Sequence, residues 1–218
     1  MHLPYRVNTQ LETLSVIVLL ANMIASVYFF MHFPDIVPTH WNINGVADGF
    51  SGKTFGAFFF PALILGIYFL LLVLPVWDPL KNRYQEFAKT YQIIRMAIVL
   101  MLSSLYWVAS FAGLGAPIAI NQVVPMGVGI LFIVLGNFMP KVKKNWFVGI
   151  RTPWTLSNEE VWNKTHRLGG KLFVLGGLAI FVSGFLPGKI AFAILMTVVV
   201  LVSVGSMGYS LWLWKRSQ

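Results

Sequence analysis

The chain has 218 residues, 57% of them hydrophobic and only 11% charged, with mean hydropathy +0.75, which is too little charge to cover a soluble domain of this size. The absence of cysteine excludes disulfides, thiolate metal sites and a cysteine nucleophile. The net charge of +9 reads as basic loops flanking membrane spans, so no direct nucleic-acid binding is expected.

The apolar residues fall in long blocks without polar stripes, the pattern of membrane spans. Six spans are predicted, at 14–33, 55–77, 93–114, 123–139, 172–186 and 190–214, giving an all-α polytopic membrane protein with a single membrane domain over 1–218. A bilayer takes roughly 20 apolar residues to cross, so the first three and the last fit well and the fourth is marginal. The fifth is short. It either gains length from Gly169, Gly170 and a snorkelling Lys171 or forms a re-entrant segment. The first apolar run is too long for a cleaved signal peptide and reads as a retained anchor.

After the first span, residues 34–54 form a short loop. Pro34 and Pro38 favour extended backbone, and Asn44-Gly45 predicts a two-residue hairpin turn with both residues at positive φ. Asp48-Gly49 is a second turn signal. His40, Trp41, Asn42 and Asn44 sit at this hairpin-like cap. Either Trp41 anchors in the lipid interface and His40 bonds within the loop, or the four contact an extracellular ligand.

Between the fourth and fifth spans, residues 136–171 hold seven of the sixteen Lys and Arg and three of the eight Trp. Pro140 ends the fourth helix, and Lys141, Lys143 and Lys144 suit phospholipid headgroups or helix-end carbonyls. Asn145 opens an aromatic, extended stretch, and Arg151-Thr152-Pro153-Trp154 reads as a turn. Ser157 and Glu160 form a capping-box pattern, with Leu156 and Val161 as its staple, opening an amphipathic helix at about 158–168. Val161, Trp162, Thr165 and Leu168 share its apolar face; Asn163, Lys164 and Arg167 face away; Gly169-Gly170 ends it. The helix would lie on the cytoplasmic membrane surface. His166 follows Trp162 by one turn. With Arg167 it either binds an anion or partner carboxylate, or forms a satisfied interfacial pair.

Fourteen of the sixteen Lys and Arg lie on the N-terminus, the second and fourth connectors and the C-terminus; only Lys53 and Lys189 lie on the other face. The positive-inside rule then places both termini in the cytoplasm and residues 34–54 outside. Within the spans, polar residues are mild: Asn22, Ser26, Ser103 and Ser206 among them. Glu12, Arg95 and Lys171 stay at helix ends. An interior without ionisable groups argues against ion-coupled transport, and small residues four apart, such as Ala109 and Gly113, read as helix packing. No metalloprotease helix pair or nucleophile elbow occurs, so no catalytic residue, metal or cofactor is expected.

Two stretches carry a resemblance to a known family. The P-x-H-W-N-x-x-G-x-x-D-G pattern over 38–49 resembles a domain of unknown function often found ahead of that family's core. The long run N-x-x-x-G-I-R-T-P-W-T-L-S-x-x-x-x-W-x-x-T-H-R over 145–167 is the more specific. Together they resemble the SdpI family of bacterial membrane immunity proteins. The resemblance implies a multi-pass plasma-membrane protein that protects its cell against a secreted killing peptide. For the founding member it also implies sequestration of a transcriptional repressor at the membrane. On that reading the partners are membrane lipid, a secreted toxin peptide and a cytoplasmic repressor. His40, Trp41, Asn42 and Asn44 would meet the peptide. Asn145, Arg151, Thr152, Trp154, Trp162, Thr165, His166 and Arg167 would form the inner switch surface. A membrane enzyme or transporter acting on phosphate-headgroup lipids or cell-wall precursors is the alternative, with Arg151, His166 and Arg167 holding the phosphate.

Overall fold

A computed structural model describes residues 2–217. The chain is a six-span helical membrane protein with one small hairpin, as its hydropathy predicts. In chain order it runs α1 (Thr9–His32), β1 (Ile36–Trp41), β2 (Ala47–Gly52), α2 (Lys53–Trp77), a 3-10 helix (Lys81–Phe87), α3 (Ala88–Gly113) and α4 (Ile120–Phe138). A 3-10 turn (Met139–Lys141), α5 (Pro153–Ser157), α6 (Glu159–Ser183) and α7 (Gly188–Arg216) follow. α1, α2 and α3 pack together, α3 meets α4, and α4 and α7 both meet α6. The hairpin caps one end of the bundle, here the hairpin end. The other, basic end carries the described residues before α1 and the end of α7, the 3-10 helix and residues 139–158.

Asn8 starts α1, its side-chain oxygen accepting from Leu11 N at 3.1 Å. Pro34 follows the extended Phe33 that caps the helix. β2 runs into α2 without an intervening residue, and Lys53 N donates to the Asp35 carbonyl at 3.0 Å. The hairpin is therefore rooted in two spanning helices.

The fifth span settles the open topology. α6 has 25 residues, about 37 Å at 1.5 Å per residue, enough to cross fully. The amphipathic stretch is present, but as the first turns of α6, and Gly169-Gly170 does not end it. Here tertiary packing outweighs glycine's poor helix propensity. A Cβ on Gly170 would stand 2.7 Å from the Gly136 carbonyl oxygen, and one on Gly177 would stand 2.7 Å from that of Gly129. These four glycines, two turns apart on each helix, let the backbones of α4 and α6 touch. The helix start also differs from the expected capping box. Asn158 is the cap, its oxygen accepting from Glu160 N at 2.8 Å and Val161 N at 3.1 Å, whereas Ser157 closes α5 by donating to Trp154 O. The capping box belongs to α5, between Thr152 and Thr155.

The buried face of this stretch (Val161, Trp162, Thr165) turns into protein rather than onto lipid. Trp162 packs with Tyr5, Tyr84, Phe87, Tyr91 and Val142 in a basic-end aromatic core. A second core around Phe29, Ile64, Val99 and Tyr106 fills the space between α1, α2 and α3. Within it Asn22 donates to Ser103 Oγ at 2.7 Å and accepts from Trp107 Nε1 at 2.9 Å, so the polar side chain is satisfied. Glu12 and Arg95, far apart in sequence, form an ion pair at the basic end, with Arg95 2% exposed and Glu12 20% exposed.

Candidate functional site

At the hairpin end, the turn is tighter in its chemistry than the sequence predicts. Asn42 organises it: its N–H donates to Val46 O, and its side-chain oxygen accepts from Asn44 N at 2.9 Å and Val46 N at 3.2 Å. Gly45 N donates to Asn42 O, and Gly45 alone has positive φ, at 78°. The turn is therefore a β-turn followed by a left-handed glycine, not a two-residue turn with Asn44 also at positive φ. Asp48-Gly49 is not a second turn. Both lie in β2, where Gly49 faces His40 so closely that a Cβ would stand 2.8 Å from the His40 Cβ. Asp48 accepts from His40 Nδ1 on the exposed face of the hairpin.

The turn sits on the ends of two helices. A Cβ on Gly45 would stand 2.8 Å from Asn121 Oδ1 of α4, and one on Gly188 of α7 only 1.8 Å from the Ile43 carbonyl oxygen. Beside this contact lies a cleft of about 480 Å³, with His40, Trp41 and Asn42 on the hairpin side and Pro125 and Phe192 opposite. A smaller apolar cavity of about 160 Å³ lies under Trp41, between Val37, Phe60 and Tyr106. Three of the four hairpin residues singled out in the sequence thus share one cleft. Asn44 stays exposed at the tip.

At the basic end the eight candidate residues divide. Asn145, Thr152, Trp162, Thr165 and His166 are buried; Arg151 and Arg167 are exposed; Trp154 is half-buried. Asn145 is fully enclosed. Its oxygen accepts from Phe147 N at 2.8 Å and Val148 N at 2.7 Å, and its amide donates to Lys143 O at 2.8 Å and Val148 O at 2.9 Å. One side chain thereby ties the loop after α4 into a knot. Trp162 Nε1 donates to Val142 O at 2.8 Å. His166 stacks on Trp162 with ring centroids 4.0 Å apart. Its Nε2 accepts from Ile150 N at 3.0 Å, so Nδ1 carries the proton and donates to Trp162 O at 2.8 Å. Both ring nitrogens are engaged, and neither is left for an anion. Gly149, at φ 114°, is needed there because a Cβ would stand 2.3 Å from His166 Nε2. Thr152 Oγ1 lies 3.1 Å from Ser210 Oγ and ties the knot to α7.

Outward from this knot the surface is charged. Arg151 donates to Trp146 O at 2.8 Å, Arg83 pairs with Glu159, and Lys164 with Glu160 at 2.6 Å. Arg167 is exposed on the next turn. Glu159 and Glu160 occupy the first turn of α6, where the helix dipole favours them.

Sequence reasoning missed several residues that hold this end together. Asp78, 2% exposed, accepts from Leu80 N, from the Tyr84 hydroxyl at 3.0 Å and from Trp146 N at 2.9 Å. Gln92 accepts from Asn8 N at 2.7 Å and donates to Arg6 O, so it binds the N-terminal segment across α3. The available signal was an Asp directly after one apolar span and a Gln directly before the next; each polar group next to lipid needs a partner.

Residues 141–210 match the SdpI/YfhL protein family, and residues 17–65 match a domain of unknown function, DUF1648. The chain is similar to the immunity protein SdpI of Bacillus subtilis (strain 168), with 29% identity over 191 residues, covering 88% of this chain and 89% of that protein. No solved structure matches the chain. The resemblance to the SdpI family is borne out, and both stretches that carry it in the sequence fall within the matched regions.

Proposed function

We propose that this chain is an integral membrane immunity protein of the bacterial plasma membrane, with both termini cytoplasmic, that protects its cell against a secreted killing peptide. The observation that carries this reading is the cleft roofed by the hairpin. An amphipathic peptide arriving from outside would set its apolar face against Trp41, Pro125 and Phe192 and its polar face against Asn42 and the His40–Asp48 pair. Similarity to a relative named for immunity supports the same reading. The basic end, with fourteen of the sixteen Lys and Arg, suits the cytoplasmic face.

The finer part of the proposal is signalling. Arg151, Trp154 and Arg167 form the outward surface for an acidic patch on a transcriptional repressor. Asn145, Thr152, Trp162, Thr165 and His166 shape that surface from inside. α7 gives the two sites a physical connection: Phe192 lines the cleft, and Ser210 meets Thr152. A peptide that prefers one packing of α7 would shift the population of the basic surface only as far as its affinities for the two packings differ. We read the protein as a binder and not an enzyme, since His166, one of the three residues with which the alternative would hold a phosphate, has both nitrogens committed.

The test is expression in a sensitive bacterium challenged with the peptide. Protection is expected with the native chain and lost in Trp41→Ala and Phe192→Ala at unchanged protein level. Equal killing with and without the native chain ends the reading. Labelling of a Trp154→Cys variant by an impermeant thiol reagent added outside the cell would reverse the orientation.

A further inference from the structure

At the basic end a cavity of about 310 Å³ lies between α3, α4 and the loop after α4, walled by Ile98, Leu135, Phe147 and Val148. Arg95 is the one charged side chain among its lining residues. Nη1 of this guanidinium donates to the Tyr5 hydroxyl at 3.1 Å and Nη2 to Glu12, and the group lies over the Tyr68 ring. The lining residues Val142 and Ile150 are flanked in the chain by Lys141, Lys143 and Arg151. Two of these, Lys141 and Arg151, are exposed.

An apolar chamber between the basic ends of spanning helices, with exposed basic residues along its loop wall, matches an amphiphile with an acyl tail and a negative head. Water filling the chamber would face mostly hydrocarbon, and an empty chamber would forgo its contacts. We propose that the cavity is a binding site for one anionic phospholipid of the surrounding leaflet. Its acyl chain fills the space between Ile98, Leu135 and Val148, and its headgroup meets Lys141, Lys143 and Arg151. The bound lipid is a structural ligand. It supports the loop knotted by Asn145 through Phe147 and Val148, and so holds the basic surface in one shape. This site is independent of the hairpin cleft and does not rest on the immunity reading.

The test uses the full-length protein in detergent, titrated with phosphatidylglycerol or phosphatidylcholine and followed by native mass spectrometry and thermal unfolding. One phosphatidylglycerol per chain is expected, bound at least fivefold more tightly than phosphatidylcholine and raising the melting temperature. Val148→Trp fills the chamber from the loop and should weaken binding at least tenfold. Ile130→Trp, which adds comparable bulk at an exposed position of α4, should leave it unchanged. Independently of these variants, a photo-crosslinking phenylalanine analogue at position 148 should capture phospholipid in cells. The proposal is overturned by equal binding of the two lipids, by undiminished binding to Val148→Trp, or by crosslinking to a second copy of the chain or to a peptide in place of lipid.

Discussion

Replacing Asn145 by Ala tests whether the basic end is built as a knot or offered as a binding group. The side chain is fully buried and makes four contacts to backbone groups of its own loop, plus a weaker one, at 3.3 Å, from the Tyr84 hydroxyl. Alanine removes all five. Tyr84 keeps Asp78 as an acceptor, and half-buried Phe147 and Val148 let water reach part of the loop. Taking two of the four backbone groups as left dry, at about 1–3 kcal/mol each, the expected loss is about 2–6 kcal/mol. For a chain of this length each kcal/mol lowers the melting temperature by about 2–4 °C. Asn145→Ala should therefore melt roughly 10 °C below the native protein in detergent, read by tryptophan fluorescence, with Trp146 more accessible to a soluble quencher. Asn145→Asp keeps the acceptor but turns carboxylate oxygen toward the Lys143 and Val148 carbonyls, so it should lose stability as well. Arg151→Ala and Arg167→Ala, at exposed positions, should melt within about 1 °C of the native protein. If Asn145→Ala melts with the native protein while losing the partner, Asn145 is a contact residue and the knot argument fails.

Gly170→Val places branched carbon against the Gly136 carbonyl and should separate α4 from α6, seen as loss of a disulfide engineered between those helices or as loss of folded protein; an unshifted melting curve would refute the close-packing argument. Arg95→Met removes the cation from Glu12, which is 20% exposed and keeps the Tyr68 hydroxyl, and should cost about 1–3 kcal/mol, whereas the double variant Glu12→Gln with Arg95→Met should recover part of that loss in the same unfolding assay. Gly188→Ala pushes against Ile43 O and should lift the hairpin, raising hydrogen exchange of the Asn42 and Val46 amides and weakening protection, while the basic-end amides stay protected. Asp35 is held below the usual carboxylate range, first by the hydrogen bond from Lys53 Nζ at 2.9 Å and then by the charge of that ammonium. Its folded pKa lies below its unfolded one, so this contact contributes at neutral pH and fades as pH falls through the folded value. Exchange at the Lys53 amide should rise in that acidic window and not in an Asp35→Asn variant.

The six spans were legible in the sequence because crossing a bilayer is a matter of length and local hydropathy, both properties of consecutive residues. The hairpin was legible for a similar reason, since Asn42, Asn44 and Gly45 act within a few residues of one another. The run over 145–167 marked where specific chemistry lies, but not what each side chain does there. Asn145 and His166 look like binding groups in one dimension; they are enclosed in three because Trp162 joins an aromatic core with Tyr84 and Tyr91, which come from a distant part of the chain. Likewise Gly169-Gly170 reads as a helix end, yet the helix continues because α4 supplies the backbone surface that only glycine can approach. Pairings such as Arg95 with Glu12, or Asp78 with Trp146, join residues more than sixty positions apart. Composition can state that a buried polar group needs a partner; only the packing of helices against one another decides which partner it meets.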